Sequence, residues 1–300
     1  MKKKLTHIGP LFIAAAAILW SLDGLLRVAL YSLPPAVIIF WEHFLGALIL
    51  SPFIFIKRKE IKHLTRKEWM SILFVSLFSG VLGTMLYTAA LGKINYIQFS
   101  VVALLQQLQP IWAITTATIL LKEKLDKKFV QWAGLAIIAS YFVTFKDMRV
   151  NISSSNETLI AALFALLAGV VWAVSTSFSK IVLNKVSFQL TTLLRFLIAP
   201  IFALVFIFIF HNQNAMLAIN QDQWLKLLTI TLSTGMVALL IYYYGLRNTP
   251  AKVSAIVELL WPASAIAIDY FFFHKMLSLT QIVGTVVLLF SIFKVSKFYK

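Results

Sequence analysis

Two stretches decide how this chain reads: WSLDGLLRVALYSLPPAVIIFWEHF at residues 20–44 and WAVSTSFSKIVLNKVSFQLTTLLRF at residues 172–196. They are equal in length. Each opens on a tryptophan (Trp20, Trp172), and each ends on a basic or imidazole side chain followed by phenylalanine (His43 and Phe44; Arg195 and Phe196). Further on, Leu91 and Gly92 lead to Leu104, Leu105 and Pro110, while Leu246 and Arg247 lead to Leu259, Leu260 and Pro262, over a path three residues shorter. Past each proline comes a short polar turn, at 122–125 and 274–277, and then a helix with one glycine, Gly134 or Gly284. The order of these features repeats even though few residues are identical.

The surrounding composition says what kind of unit is repeated. Of 300 residues 60% are hydrophobic and 13% charged, and mean hydropathy is +0.88. A soluble domain carries about 25% charged residues, so this chain has too little polarity to clothe a water-facing surface. A membrane-crossing helix needs about 20 mostly apolar residues. Segments near 8–30, 36–56, 69–91, 97–121 and 127–145 qualify, as do 158–183, 189–210, 224–246, 252–273 and 278–296. The expected fold is an all-α polytopic membrane protein of ten transmembrane helices in two units of five. The units divide the chain at 1–149 and 150–300 and together make one transmembrane domain. Met1 and three lysines precede an apolar run too long for a signal peptide, so that run reads as the first span.

The formal charge is +16, from 27 Lys and Arg against 11 Asp and Glu. With a cytoplasmic N-terminus, 20 basic residues fall on the inner side, among them Lys57, Arg58, Lys59, Lys62, Arg66 and Lys67. Five (Lys93, Lys146, Arg149, Lys226, Lys275) fall outside, and Arg27 and Arg195 lie within spans. That asymmetry places both termini inside, in a cell (inner) membrane. It also removes nucleic acid as the reason for the charge, because the basic residues are scattered over loops without an aromatic platform. Cysteine is absent, which excludes disulfides and thiolate chemistry. The sequons at Asn151 and Asn156 lie in the outer loop and matter only in a host that glycosylates.

An odd number of spans per unit inserts the second copy upside down. Inverted repeats mark alternating-access transporters, with substrate held near the midplane between the units. Two five-helix copies in about 300 residues resemble the drug/metabolite transporter superfamily, EamA type. The resemblance rests on Trp20 and Trp172, Lys180 on the sixth span, Arg195 with Phe196 on the seventh, the leucine-rich approaches to Pro110 and Pro262, and Glu123 beyond the fourth. His43 departs from the arginine frequent in the family, and Lys275 from a frequent glutamate. The resemblance implies ten helices, a site lined by the first, third, fourth, sixth, eighth and ninth, and secondary-active transport of small metabolites, often outward.

Ionisable groups inside lipid cost about 2.5–3.5 kcal/mol each and are functional candidates by default. Asp23 and Arg27, four apart, share a helix face and can pair. They are either a self-neutralising ion pair or part of the site. Glu42 and His43 are adjacent and point about 100° apart. Either is a candidate for a coupling proton, or for an ion pair with Arg27 or Arg195. Glu258 shares a face with Ser254 and Trp261. With the prolines aligned, its counterpart is Gln106 in a fourth span also carrying Gln107 and Gln109. A proline frees a helix carbonyl, so both regions offer polar groups at mid-membrane. Trp20, Trp41, Trp112, Trp172 and Trp261 lie within spans, and Tyr87, Tyr242, Tyr243 and Tyr244 sit at corresponding ends of the third and eighth. Such rings can line a cavity and hold a cation on their faces.

The expected substrate contacts are therefore Trp20, Glu42, His43, Tyr87, Gln106, Trp172, Arg195, Tyr243, Glu258 and Trp261, with Asp23, Arg27, Glu42, His43 and Glu258 as coupling or ion-pair groups. No phosphate loop, HExxH or GxSxG occurs, so no catalytic residue, metal or cofactor is expected. The expected activity is secondary-active transport of small polar metabolites, amino acids foremost, outward, with a proton or other ion as candidate partner. A lipid or lipid-linked sugar flippase and an integral-membrane enzyme stand as alternatives.

Overall fold

The computed structural model describes residues 8–120, 126–148, 156–249 and 251–297. Lys2, Lys3, Lys4, Lys122, Glu123, Lys124, Arg149, Asn151 and Lys300 lie outside the described residues, as does the side chain of Lys252. Among the described residues there is no strand.

The spans follow the apolar segments. The first is Gly9–Val28, the second Pro35–Leu50, the third Arg66–Leu91, the fourth two pieces, Phe99–Gln106 and Gln109–Leu120, and the fifth Lys127–Thr144. The sixth is Glu157–Leu183, the seventh Phe188–Ile209, the eighth Gln221–Asn248, the ninth two pieces, Ala251–Val257 and Leu260–Phe271, and the tenth Leu279–Ser296. Five are long and apolar enough to cross a membrane without a break, namely the first, third, sixth, seventh and eighth. The second is shorter than the apolar run 36–56 suggests. It stops at Leu50, and Pro52–Ile61 departs at 79°, because Pro52 starts a new helix more readily than it continues one.

Helix starts are written locally. Thr65 with Glu68, Asn220 with Gln223 and Ser278 with Gln281 form capping boxes at the third, eighth and tenth spans, each pair satisfying two orphan backbone donors. Lipid-facing positions such as Leu11, Ile138, Leu167, Ile201 and Phe208 are exposed and apolar, as a protein whose solvent is hydrocarbon requires.

The packing obeys the repeat. The first span packs on the eighth and the third on the sixth, while the second meets the seventh, the fourth the ninth and the fifth the tenth. Exchanging the units maps this pattern onto itself, the arrangement expected of two inverted five-helix repeats. Glycines bring some pairs close. A Cβ on Gly245 would stand 2.9 Å from the Gly9 carbonyl oxygen and 2.8 Å from Ile13 Cγ1.

Two further features occur in corresponding spans. The third and eighth each contain a π-helical stretch, Ser76–Gly83 and Thr231–Gly235. The fourth and ninth are each interrupted, at Gln107 and Leu108 and at Glu258 and Leu259.

On the side expected to be external, the 92–98 loop is tied to the second unit. Gln98 Nε2 donates to the Met276 carbonyl at 3.0 Å and Lys275 Nζ to that of Ile94 at 2.5 Å. Lys93 also pairs with Glu157, both about a quarter exposed. Such an ion pair contributes little. Glu157→Gln is expected to lower stability by less than about 1 kcal/mol in a detergent unfolding assay, and a loss of several kcal/mol would show that the loop contact is structural.

Candidate functional site

A cavity of about 1010 Å³, counted out to its mouth, lies between the two units. The first span supplies Trp20, Asp23 and Arg27, the second Glu42 and His43, and the third Ser79, Thr84 and Tyr87. From the second unit come Trp172, Thr176 and Ser179, then Arg195, then Thr234, Gly235, Tyr242 and Tyr243, and last Glu258 and Trp261. Eight spans reach it; the fifth and tenth do not. The second and seventh are additions to the six spans implied by the resemblance.

Arg27 is at the centre of a buried charge cluster. Its Nε meets Asp23 Oδ2 at 2.5 Å, its Nη2 meets Glu42 Oε2 at 2.7 Å, and its Nη1 donates to Thr88 Oγ1 at 3.3 Å. Thr234 Oγ1 donates to Asp23 Oδ1 at 2.6 Å, tying the cluster to the second unit at the π-helical stretch. One cation thus holds two carboxylates, and each is given the partners that make a buried charge tolerable. Glu42 also fills the space over Gly235, where a Cβ would stand 2.6 Å from its Oε1. Arg27 borders a second, outer cavity too, with Tyr31, Thr88 and Lys93, so the cluster lies between two voids.

The second polar centre is built on Arg195. Its Nη1 donates to the Tyr243 hydroxyl at 3.1 Å, and that hydroxyl lies 3.2 Å from Ser179 Oγ. Arg195 Nε has no hydrogen-bond partner among the described residues. His43 Nδ1 lies 3.0 Å from the Ile39 carbonyl. A carbonyl only accepts, so Nδ1 carries the hydrogen and the neutral ring's Nε2 is left to accept. The ring stacks on Phe196 at 4.6 Å. Beside Gly80, His43 Nε2 and Arg195 Nε stand 3.7 and 3.6 Å from the position of a Cβ.

Glu258 lies at the interruption of the ninth span and is not isolated. Ser254 Oγ donates to its Oε1 at 2.7 Å and the Tyr242 hydroxyl at 3.0 Å. Around it runs an aromatic wall. Trp20 lies 4.8 Å from Tyr242, Tyr87 5.6 Å from Trp172 and 6.0 Å from Trp261, and the two tryptophans are 6.2 Å apart. Trp172 Nε1 donates to the Ser79 carbonyl at 3.2 Å, so the π-helical stretch of the third span supplies an acceptor that orients the ring.

Eleven of the twelve residues singled out from sequence line this cavity. Gln106 does not. It is fully buried, its backbone packs on Gly169 of the sixth span, and its amide has no partner among the described residues. The break places Gln107 rather than Gln106 opposite Glu258. Glu42 and His43 both reach the void despite their angular separation, because the cavity is wide and the second span presents an edge to it. Trp41 and Trp112 are not on its wall, and Tyr244 packs outward on Phe12 and Phe188. Sequence reading passed over Ser79, Thr84, Thr234, Thr176 and Ser179. Trp172, Thr176 and Ser179 fall at i, i+4 and i+7, a polar face that helical periodicity exposes.

A many-spanning helical fold with a polar cavity between inverted halves defines a membrane transporter. The EamA-like transporter family matches residues 7–145 and again 159–297, and the chain belongs to that family. It is 37% identical over 97% of its length, and 98% of the relative's, to the riboflavin transporter ImpX of Fusobacterium nucleatum subsp. nucleatum. It is 22% identical to the uncharacterized transporter YoaV of Bacillus subtilis, covering 94% of each chain. A crystal structure with 13% sequence identity superposes with a TM-score of 0.61 over 95% of this chain and 94% of the other, a likeness of fold alone.

Proposed function

We propose that this protein carries riboflavin, or a flavin closely like it, across a cell (inner) membrane by alternating access. The carrying observation is the aromatic wall of Trp20, Tyr87, Trp172, Tyr242 and Trp261 around the central cavity. A fused planar ring stacks on such faces in offset or edge-on geometry. The donor of Arg195 and the acceptor of His43 match the alternating carbonyls and N–H along the imide edge of that ring. The 37% identical relative named for riboflavin supports the same substrate.

In this reading Trp20, His43, Tyr87, Trp172, Arg195, Tyr243, Glu258 and Trp261 contact substrate. Asp23, Arg27 and Glu42 form a lock whose opening accompanies the rocking of residues 1–149 against 150–300, and they are the candidates for coupling to a proton or another ion. The distribution of basic residues supports cytoplasmic termini. A second reading, outward transport of a zwitterionic amino acid, is favoured by one observation: Arg195 and Glu258 put opposite charges on one cavity.

Counterflow in proteoliposomes separates the two. Vesicles preloaded with unlabelled riboflavin are expected to accumulate labelled riboflavin, and vesicles preloaded with mixed amino acids are not. Amino-acid exchange without riboflavin exchange would replace the first reading by the second.

A further inference from the structure

The central cavity has an annex. A second, smaller void shares the walls formed by Gln109, Thr176, Tyr242, Leu246 and Glu258 with the main cavity and extends to Gln107 and Ser254. Its chemistry differs from that of the aromatic chamber. Gln107 and Gln109 bring two amides, Thr176 and Ser254 two hydroxyls, and Glu258 one carboxylate. No lysine or arginine lines it among the described residues. The annex sits where the fourth and ninth spans are both interrupted, at Gln107 and at Glu258, and paired interruptions of this kind mark the binding region in inverted-repeat carriers.

An amide presents both donors and an acceptor, a hydroxyl one donor and two acceptor sites, and a carboxylate only acceptors. A chain of hydroxyl groups, each donating and accepting, satisfies such a lining. A phosphate ester fits less well, because it brings negative charge beside Glu258, and Lys180, the cation that acts on that carboxylate, is not on the annex wall. Like charges placed together are a strong means of rejection.

We propose that the annex is the subsite for the polyhydroxylated side chain of the flavin, and that the Glu258 carboxylate makes the carrier selective for the unphosphorylated compound. This rests on the flavin reading given above. Ser254 and Tyr242 position the carboxylate by donating to its Oε1, leaving Oε2 to accept from the polyol. The ring stays in the aromatic chamber, so ring and side chain are recognised by separate parts of the site.

The test uses purified full-length protein and the quenching of flavin fluorescence on binding. Three ligands are titrated: riboflavin, lumiflavin (the same ring with a methyl in place of the polyol) and the terminal phosphate ester of riboflavin. Riboflavin is expected to bind at least about tenfold more tightly than lumiflavin, since unmet polar groups in the annex penalise the shorter ligand. It is expected to bind about 100-fold more tightly than its phosphate ester. Glu258→Gln should raise affinity for the ester relative to riboflavin by about tenfold or more, and Gln107→Leu should weaken riboflavin more than lumiflavin. Equal binding of riboflavin and lumiflavin would overturn the subsite, and equal binding of riboflavin and its ester would overturn the selectivity. Absence of binding by all three ligands would instead sink the flavin reading on which both stand. The wild-type series decides these points even where a variant does not fold.

Discussion

Arg27→Ala is expected to destabilise the protein by about 3–5 kcal/mol and to abolish uptake. The guanidinium is the only cation within reach of both Asp23 and Glu42 among the described residues, and it also holds Thr88. Its removal leaves two buried carboxylates facing one another without a counter-charge, and an unpaired buried charge costs more than the pair contributes. Arg27→Lys should fall between, because an ammonium is a point charge without the planar fork that serves several partners at once. The informative control is neutralisation of the whole cluster. Arg27→Gln with Asp23→Asn and Glu42→Gln is expected to recover much of the stability, since replacing a buried ion cluster by neutral groups is often tolerated, while uptake stays lost. Thermal unfolding in detergent reads the first quantity and proteoliposome uptake the second. An Arg27→Ala protein within about 1 kcal/mol of wild type would mean that water already screens the cluster.

Trp172→Ala should have the next largest effect. The ring touches Tyr87 and Trp261, fills the space over Gly83 and donates to the Ser79 carbonyl. Truncating a tryptophan in such a setting costs about 3–5 kcal/mol when fully buried. Trp172 borders a cavity, so the lower end of that range is expected. Flavin affinity should drop by at least about tenfold, as aromatic contacts of this kind are worth about 0.5–1.5 kcal/mol apiece beyond the area they bury. Trp172→Phe keeps an aromatic face but loses the N–H and the five-membered ring, and should retain more of the affinity than Trp172→Ala. Wild-type affinity in Trp172→Ala would place the flavin elsewhere.

The ten spans were legible because hydrophobic length is a direct signal of a bilayer. The bend after the second span was not, since residues 53–56 stay apolar and carry the run straight past Pro52. The prolines pointed to the interrupted spans but not to the interruption itself. A proline clashes with the carbonyl four residues back, and the breaks duly fall at Gln107 and Glu258, three and four residues ahead of Pro110 and Pro262. That one-residue difference is why aligning the prolines selected Gln106. The charged members of the site were legible because lipid penalises charge. The Arg27 cluster was legible as the i, i+4 pair with Asp23 and as one of the ion pairs open to Glu42, whereas Thr234 joins it only through tertiary packing. The π-helical stretches carry no sequence signature beyond Gly80, Gly83 and Gly235, and neither Ser79 nor Thr234 announces a role until those turns aim it inward. The substrate was the least legible part. Aromatic rings and opposite charges suit an amino acid and a flavin alike, and the annex proposed for the polyol exists only once the fourth and ninth spans are brought together.

The symmetric pairing of the spans has a consequence for biosynthesis. The partner of nearly every helix in the first unit belongs to the second. When the ribosome has completed residue 145, the first span still lacks the eighth, the second lacks the seventh and the fifth lacks the tenth. The early half therefore waits in the bilayer with Asp23, Arg27 and Glu42 able to satisfy one another but with its packing faces open. Those faces close only as the later helices arrive, and the tenth span, last to emerge, seals the fifth. A nascent chain arrested between the units should therefore be a ready target for membrane quality-control proteases.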